Sequence, residues 1–286
     1  MLQSAADALS LSMSLSPPIS GPTPSGVSDV DPERRFGGID RLYGMHALAC
    51  LQARHVCVVG VGGVGSWAAE ALVRSGVGRL TLIDLDHVAE SNINRQVHAL
   101  TPTLGQAKVL AMRERIALIN PLVRVDLVDD FLTPDNAAQL LSGCDAVIDA
   151  IDQVRAKVAI VTECRRLGVP LVVCGAAGGK TDPGGICLDD LSRTVQDPLL
   201  ASVRRILRSA HGFPRDPRQR FRVDAVYSTQ AVRRPGRTCE AQGPQGLSCA
   251  GYGSSMMMTA SFGLRAAAHV VDRLLAIHRK EDDDAQ

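Results

Sequence analysis

No two cysteines are spaced Cys-x-x-Cys in this sequence. The eight thiols (Cys50, Cys57, Cys144, Cys164, Cys174, Cys187, Cys239 and Cys249) are scattered, several of them inside apolar runs such as the His-Val-Cys-Val-Val around Cys57. That pattern reads as small buried hydrophobes of a reduced, cytoplasmic protein. It also argues against a structural zinc site. Long apolar runs are missing too. A membrane-spanning helix needs roughly 18 or more uninterrupted apolar residues. The nearest stretch, Met256 to Val271, is broken by Arg265 and His269. It reads as a packed helix, so no stable membrane insertion is expected. The first thirty residues carry only two charges, Asp7 and Asp29, among eight serines and four prolines. They lack the basic start and apolar centre of a secretory signal and the arginines of a transit peptide. Residues 1–33 therefore read as a disordered extension or an over-called start. Excess charge is lacking as well. A formal net charge of +1 means that the whole molecule is no electrostatic glove for nucleic acid, and local charge has to be weighed separately.

What is present is a chain of 286 residues with 45% hydrophobic content, enough for one large domain with a substantial core. From His55 a regular pattern sets in. His55–Val59 is a short apolar strand, Gly60-Val-Gly-Gly-Val-Gly65 a glycine turn, Ser66 to Ser75 a helix-compatible run, and Arg79–Asp84 a second strand. Gln106 to Ile119 places Val109, Met112, Ile116 and Ile119 on one helical face, and Asn120-Pro121 ends it. Val123–Val128 is a strand. Thr133-Pro134 predicts a helix start with Thr133 as cap. Ala146–Ile151 is a buried strand ending at Asp152, Arg155 to Leu167 a helix, and Pro170–Cys174 a strand. Alternation of this kind, with continuously apolar strands, predicts an α/β fold: a Rossmann-like, mostly parallel sheet with helices on both faces.

After Gly175 the regularity gives way to Gly178-Gly179, Pro183, Gly184-Gly185 and many arginines. Residues 176–252 read as a C-terminal elaboration on a domain spanning 34–280. Ser254 to Arg279 is helical again, and 281–286 form an acidic tail. Between Arg193 and Arg237 there are eleven arginines, no lysine and three acids. Such a segment is either a surface suited to RNA phosphates or an exposed arginine-rich loop. Its aromatics, Phe213, Phe221 and Tyr227, are too few to argue base stacking.

The glycine turn permits a tight bend and lets a phosphate approach N–H groups at a helix N-terminus. Asp84 ends the second strand, placed for a ribose. These two features describe an NAD-dependent reductase equally well. Three further elements discriminate. Asn92-Ile-Asn-Arg95-Gln96 follows the second strand, Gly105-Gln-Ala-Lys108 opens the next helix, and Asp149-Ala-Ile-Asp152 ends a later strand. They bring an arginine, a lysine and carboxylates to the C-terminal edge of the sheet, where open α/β sheets bind ligands. Attack on the α-phosphorus of ATP needs that set: Arg95 and Lys108 to neutralise phosphate charge and Asp152 to hold Mg²⁺. Hydride transfer does not.

Phe36-Gly-Gly38, Gly60–Gly65, Asp84, Asn92-x-x-Arg95-Gln96, Gly105-Gln-Ala-Lys108 and Asp152 resemble the ubiquitin-activating-enzyme-like superfamily over residues 34 to 180. The resemblance implies that Gly60, Gly62, Gly63 and Gly65 cradle nucleotide phosphates, Asp84 holds the ribose and Asn92 joins the nucleotide site. Arg95 and Lys108 would contact the triphosphate, and Asp152 would bind Mg²⁺. Further runs are similar to the superfamily's tRNA threonylcarbamoyladenosine dehydratases over residues 34 to 275. They are Arg35-Phe-Gly-Gly, Arg41-Leu-Tyr-Gly44, Gly65-Ser-Trp-Ala-Ala-Glu-Ala71, Asn94-Arg-Gln-Val-His-Ala-Leu100 and Val128-Asp-Asp-Phe-Leu-Thr-Pro-Asp-Asn136. Gly175-Ala-Ala-Gly-Gly179 and Asp197-Pro198 belong with them.

The implied reaction is ATP-dependent cyclisation of threonylcarbamoyladenosine beside the tRNA anticodon, through an adenylated carboxylate. Implied with it are a homodimer in which Arg35 or Arg41 reaches the partner's ATP, a sulfur-relay partner, and a monovalent cation in the elaboration, for which no ligand set can be read. The alternative within the superfamily is an adenylyltransferase acting on a ubiquitin-like sulfur carrier ending in Gly-Gly. An adaptor that binds nucleotide without turnover is a further reading. Cys239 and Cys249 are either reactive thiols or plain loop cysteines. His98 is most simply a packing or surface histidine, and Asp149 a support for the strand end.

Overall fold

The computed structural model describes residues 30–233 and 252–284. Seven strands form one sheet in the order β3-β2-β1-β4-β5-β7-β6. β1 (His55–Val59), β2 (Arg79–Ile83), β3 (Arg124–Val128), β4 (Ala146–Asp149), β5 (Leu171–Cys174) and β7 (Asp224–Ser228) run parallel, and β6 (Ile186–Asp190) pairs antiparallel with β7 at one edge. The strands are apolar on both sides because both faces are covered. Along β1, Val56 and Val58 face one core layer while Cys57 and Val59 face the other. The first layer lies under α3 (Ala47–Gln52), α4 (Gly65–Arg74), α5 (Lys108–Ile119) and α9 (Met256–Asp284). The second lies under α6 (Ala137–Leu141), α7 (Val154–Leu167) and α8 (Pro198–Ala210). Two short helices, α1 (Pro32–Phe36) and α2 (Gly38–Tyr43), precede them.

α9 crosses α4 at close range. A Cβ on Gly263 would overlap the Val64 carbonyl oxygen and crowd the Ala68 nitrogen, so the crossing brings backbone against backbone. Phe262, one residue earlier, is fully buried beside it. Burying a side chain of that size contributes about 1.5–3 kcal/mol. The last helix therefore docks on the helix that begins at the glycine turn.

The structure corrects several boundaries. The helix expected from Thr133 starts about one turn later: α6 begins at Ala137, after a turn in which Thr133 donates its N–H to Asn136 Oδ1 at 2.8 Å and its carbonyl accepts from Ala137 N–H at 3.0 Å. β4 stops at Asp149, which leaves Ile151 and Asp152 in the following loop. α9 continues through residues 281–284, where the charge pattern predicts a tail. Beyond Gly175 the sheet goes on where the regular pattern stops: β7 and β6 extend it, and α8, between them in the chain, packs on one face. Pro32 and Glu33 already belong to α1.

Candidate functional site

The C-terminal ends of β1, β2, β4 and β5 open into a cleft of about 270 Å³. One wall is the turn between β1 and α4. Gly60 bends there with φ +87°, hard against Ala150 and Ile151. A Cβ on Gly65 would overlap the Gly60 carbonyl oxygen. Gly65 therefore sets how closely α4 approaches β1, and it does not line the cleft, whereas Gly60, Gly62 and Gly63 do.

Asp84 stands one residue past β2. Its Oδ2 accepts from the Val61 N–H at 2.6 Å and its Oδ1 from the Asp86 N–H at 2.9 Å, so this carboxylate pins the glycine turn to the strand end. Burial raises its pKa, while Lys108 and the two N–H donors act in the opposite direction. Lys108, the first residue of α5, is buried. Its ammonium lies 2.6 Å from Asp86 Oδ2 and 4.0 Å from Asp84 Oδ1. Asp86 lines the cleft and was not singled out from sequence. Its position two residues after Asp84 is the signal for it.

Arg95 lines the cleft beside Gly63. Its Nη1 donates to the Ser91 carbonyl at 2.6 Å and to Asn94 Oδ1 at 3.0 Å. Its own carbonyl accepts from Trp67 Nε1 at 2.9 Å and from the Thr259 hydroxyl at 3.3 Å, which ties this loop to α4 and α9. Asn92 points elsewhere: it is buried, with Oδ1 accepting from the Ala89 N–H at 3.0 Å, and it does not line the cleft. Asp152 lines the cleft from the loop after β4, exposed and without a side-chain partner among the described residues. Gln96 also lines it, with Oε1 buried and unpaired among the described residues.

Beneath Asp152, Asp149 and Lys157 form a fully buried ion pair at 2.9 Å, and Lys157 also donates to the Cys174 carbonyl at 2.8 Å. Asp149 thus supports the strand end and does not line the cleft. Lys157 escaped the sequence reading because nothing in the pattern of α7 separates an inward lysine from an exposed one. His98 is buried and neither ring nitrogen has a partner among the described residues. Burial, with Lys108 and Arg115 nearby, lowers its pKa to about 4.

Neither Arg35 nor Arg41 reaches this cleft. Arg35 donates to the Ile119 carbonyl at 2.9 Å, capping α5. Of the cysteines, Cys50, Cys57, Cys144, Cys164 and Cys174 are buried and free, and Cys187 is half-buried. Burial pushes the Cys164 and Cys174 thiols up to about 12. Cys239 and Cys249 lie outside the described residues. No helix among those described is long and apolar enough to cross a membrane.

A cleft with a glycine turn, a buried lysine between two aspartates, an arginine and a free carboxylate fits a nucleotide triphosphate with its metal. Residues 39–281 match the model of the ThiF family. The chain belongs to the ThiF family.

Within that family it is 48% identical over 245 residues to the tRNA threonylcarbamoyladenosine dehydratase of Haemophilus influenzae, which covers 85% of this chain and 94% of the relative. The crystal structure of the Escherichia coli tRNA N6-threonylcarbamoyladenosine dehydratase in complex with ATP superposes with a TM-score of 0.79 at 47% identity, covering 87% of this chain and 96% of that one. A more distant relative, the sulfur carrier protein adenylyltransferase of Thermus thermophilus, is 38% identical over 43% of this chain and 45% of its own length. The seven-stranded, mostly parallel sheet is the Rossmann-like fold of that dehydratase structure.

Proposed function

We propose that this chain is an ATP-dependent tRNA threonylcarbamoyladenosine dehydratase. The observation that carries the reading is Lys108, held at 2.6 Å from Asp86 and 4.0 Å from Asp84 in the same cleft as Arg95 and Asp152. Near-full-length similarity to enzymes of that name supplies the substrate. Gly60, Gly62 and Gly63 present the open N-terminal end of α4 to the phosphates. Asp84 faces the ribose side while it fixes the turn. Lys108 and Arg95 take up negative charge as the substrate carboxylate attacks the α-phosphorus and pyrophosphate leaves. An oxygen or nitrogen within the threonylcarbamoyl group then attacks the activated carbonyl carbon. AMP departs with one carboxylate oxygen, the nucleophile loses its proton, and the net change is loss of one water. The nucleophile belongs to the substrate, so proximity replaces a protein nucleophile.

The described residues hold no cluster of three or more metal-ligating side chains. That fits Mg²⁺ bound by one or two carboxylates together with phosphates, and Asp152 is the free carboxylate that would hold it. The metal would neutralise the triphosphate. For the monovalent cation implied by the resemblance, one set of three converging carbonyls in the elaboration is already filled by the Lys180 ammonium. The enzyme acts as a homodimer in this reading. Arg35 is engaged within its own chain, so Arg41 is the arginine left to reach across, flanked by the exposed Leu42 and Met45.

The test is incubation of the purified protein with ATP, Mg²⁺ and tRNA carrying threonylcarbamoyladenosine, followed by digestion to nucleosides and mass spectrometry. A nucleoside lighter by one water, formed only with ATP and lost in Asp152→Ala, is the expected result. An unchanged nucleoside from folded, ATP-binding protein would overturn the assignment in favour of a carrier-protein adenylyltransferase.

A further inference from the structure

The chain has four lysines against 27 arginines. Three of the four, Lys108, Lys157 and Lys180, are buried. Lys108 and Lys157 each face a carboxylate within ion-pair distance. Lys180 faces none among the described residues. It is 2% exposed, and its ammonium has three partners, all main-chain carbonyls: Ser228 at 2.9 Å, Gln196 at 3.1 Å and Gln230 at 3.1 Å. Asp197 acts on it only from a longer range, and the Asp197 oxygens are committed to the N–H groups of Ala176 and Leu200.

These carbonyls come from separate parts of the chain. Gln196 lies in the turn before α8, with φ +54°, a left-handed backbone uncommon for a residue with a side chain. Ser228 is the last residue of β7, and Gln230 follows two residues on. The Gln230 side chain tightens the same knot, its Oε1 accepting from the N–H groups of Thr181 and Asp182 at 2.8 and 3.1 Å. Lys180 itself closes the Gly175–Gly179 run. Gly175 to Gly178, Pro198 and Val232 form the cleft wall that faces the glycine turn. One positive charge thus joins every segment from which that wall is built.

Three carbonyl dipoles pointing at a single positive charge with no anion among them are the surroundings that proteins give a bare monovalent cation. A compact ammonium with three donors fits them, whereas a planar guanidinium does not. We propose that Lys180 is a tethered monovalent cation: its ammonium occupies a three-carbonyl site and assembles the second wall of the nucleotide cleft, so that this wall needs no added potassium, sodium or ammonium ion. Lys180 is a positioning residue, and the proposal rests on the cleft being the nucleotide site.

The experiment measures ATP affinity by calorimetry and melting temperature, for wild type and Lys180→Ala, with chloride salts of choline, potassium or methylammonium as the only monovalent salt. The wild type is expected to bind ATP within twofold equally in all three. Lys180→Ala is expected to lose tenfold or more in choline, and to regain most of it in potassium or methylammonium, which enter the vacated site. Its melting temperature should rise in the same order. Lys180→Met, whose side chain fills the space without charge, should be weak in every salt. A wild type that needs potassium overturns the proposal, and this arm stands even if the variants fail to fold. Equal losses by Lys180→Ala in all three salts also overturn it, because a merely structural lysine would behave that way. Should the wild type bind no ATP in any salt, the nucleotide reading fails, and the salt dependence of the Lys180→Ala melting temperature still decides the role of Lys180.

Discussion

Asp149 and Lys157 are both fully buried and 2.9 Å apart, and the loop that carries Asp152 starts from that pair. Removing one partner of a buried pair leaves an uncompensated charge, which costs about 3–5 kcal/mol. Lys157→Met should therefore lower stability by that much in urea unfolding. The double variant Asp149→Leu/Lys157→Met should recover part of the loss. Full additivity of the two single variants would show that the groups are not coupled. His98 makes a different demand. Its pKa is lowered from 6.5 to about 4 by burial and by Lys108 and Arg115. The unfolded chain then binds a proton that the folded one refuses between those values. Its stabilising contribution is whole above pH 6.5, falls as the pH drops toward 4, and amounts to about 3 kcal/mol. His98→Leu should flatten the acid side of a stability profile over that window; a profile with the wild-type slope would place the titration elsewhere. At this scale the placing of Gly60, Asp84, Arg95, Lys108 and Asp152 on the cleft was legible because each stands near a strand end or helix start that periodicity already marks. Lys157 and Lys180 were not, because inward direction is a tertiary fact that spacing does not carry.

α8 depends on Asp197, whose Oδ1 caps the helix at Leu200 N–H (2.9 Å) while Oδ2 accepts from Ala176 N–H at 2.8 Å. One carboxylate thus fixes the helix start and a cleft-wall backbone together. Loss of a cap alone costs about 0.5–2 kcal/mol. Asp197→Ala is expected at the upper end of that range or beyond in thermal unfolding, with weaker ATP binding besides. A stability loss with unchanged ATP affinity would separate the helix from the wall. α8 was legible only as the dipeptide Asp197-Pro198, because its arginines merge with the arginine-rich run around it, although Leu199, Leu200, Val203 and Leu207 share one buried face. β6 escaped for a related reason: it is a half-exposed edge strand ending in Asp189-Asp190, against the apolar habit of the inner strands. β1, β2, β4 and β5 read clearly because burial on both faces makes them continuously apolar. The helix expected from Thr133 begins one turn late because residues 134–136 form a turn, closed by Asn136 Oδ1 on the Thr133 N–H, before α6 starts at Ala137.

Across the whole molecule the arginines and the cleft part company. A second cavity of about 810 Å³ opens where β5 and β7 begin, the sheet edge opposite the nucleotide cleft, and Arg165, Arg220, Arg222 and Arg273 line it with Asp224. Arg165 stacks on Phe213 at 4.5 Å and Arg208 on Phe221 at 5.0 Å. Part of the cluster is thereby held rigid, while Arg220 and Arg222 have no side-chain partner among the described residues. A strand of five residues spans roughly 15 Å, so these arginines cannot touch the nucleotide being modified. In the proposed function they grip the tRNA backbone at a distance, and a net charge near zero leaves this as a local patch. Every phosphate that the protein ceases to neutralise lowers the slope of log affinity against log salt by about one. Arg220→Gln/Arg222→Asn keeps the positive φ of residue 222 within reach of asparagine. It should weaken tRNA binding, reduce that slope by about two, raise the KM for tRNA and leave ATP affinity unchanged. An unaltered salt slope would mean that the RNA passes over another face and that the arginine-rich segment is only a solvated surface.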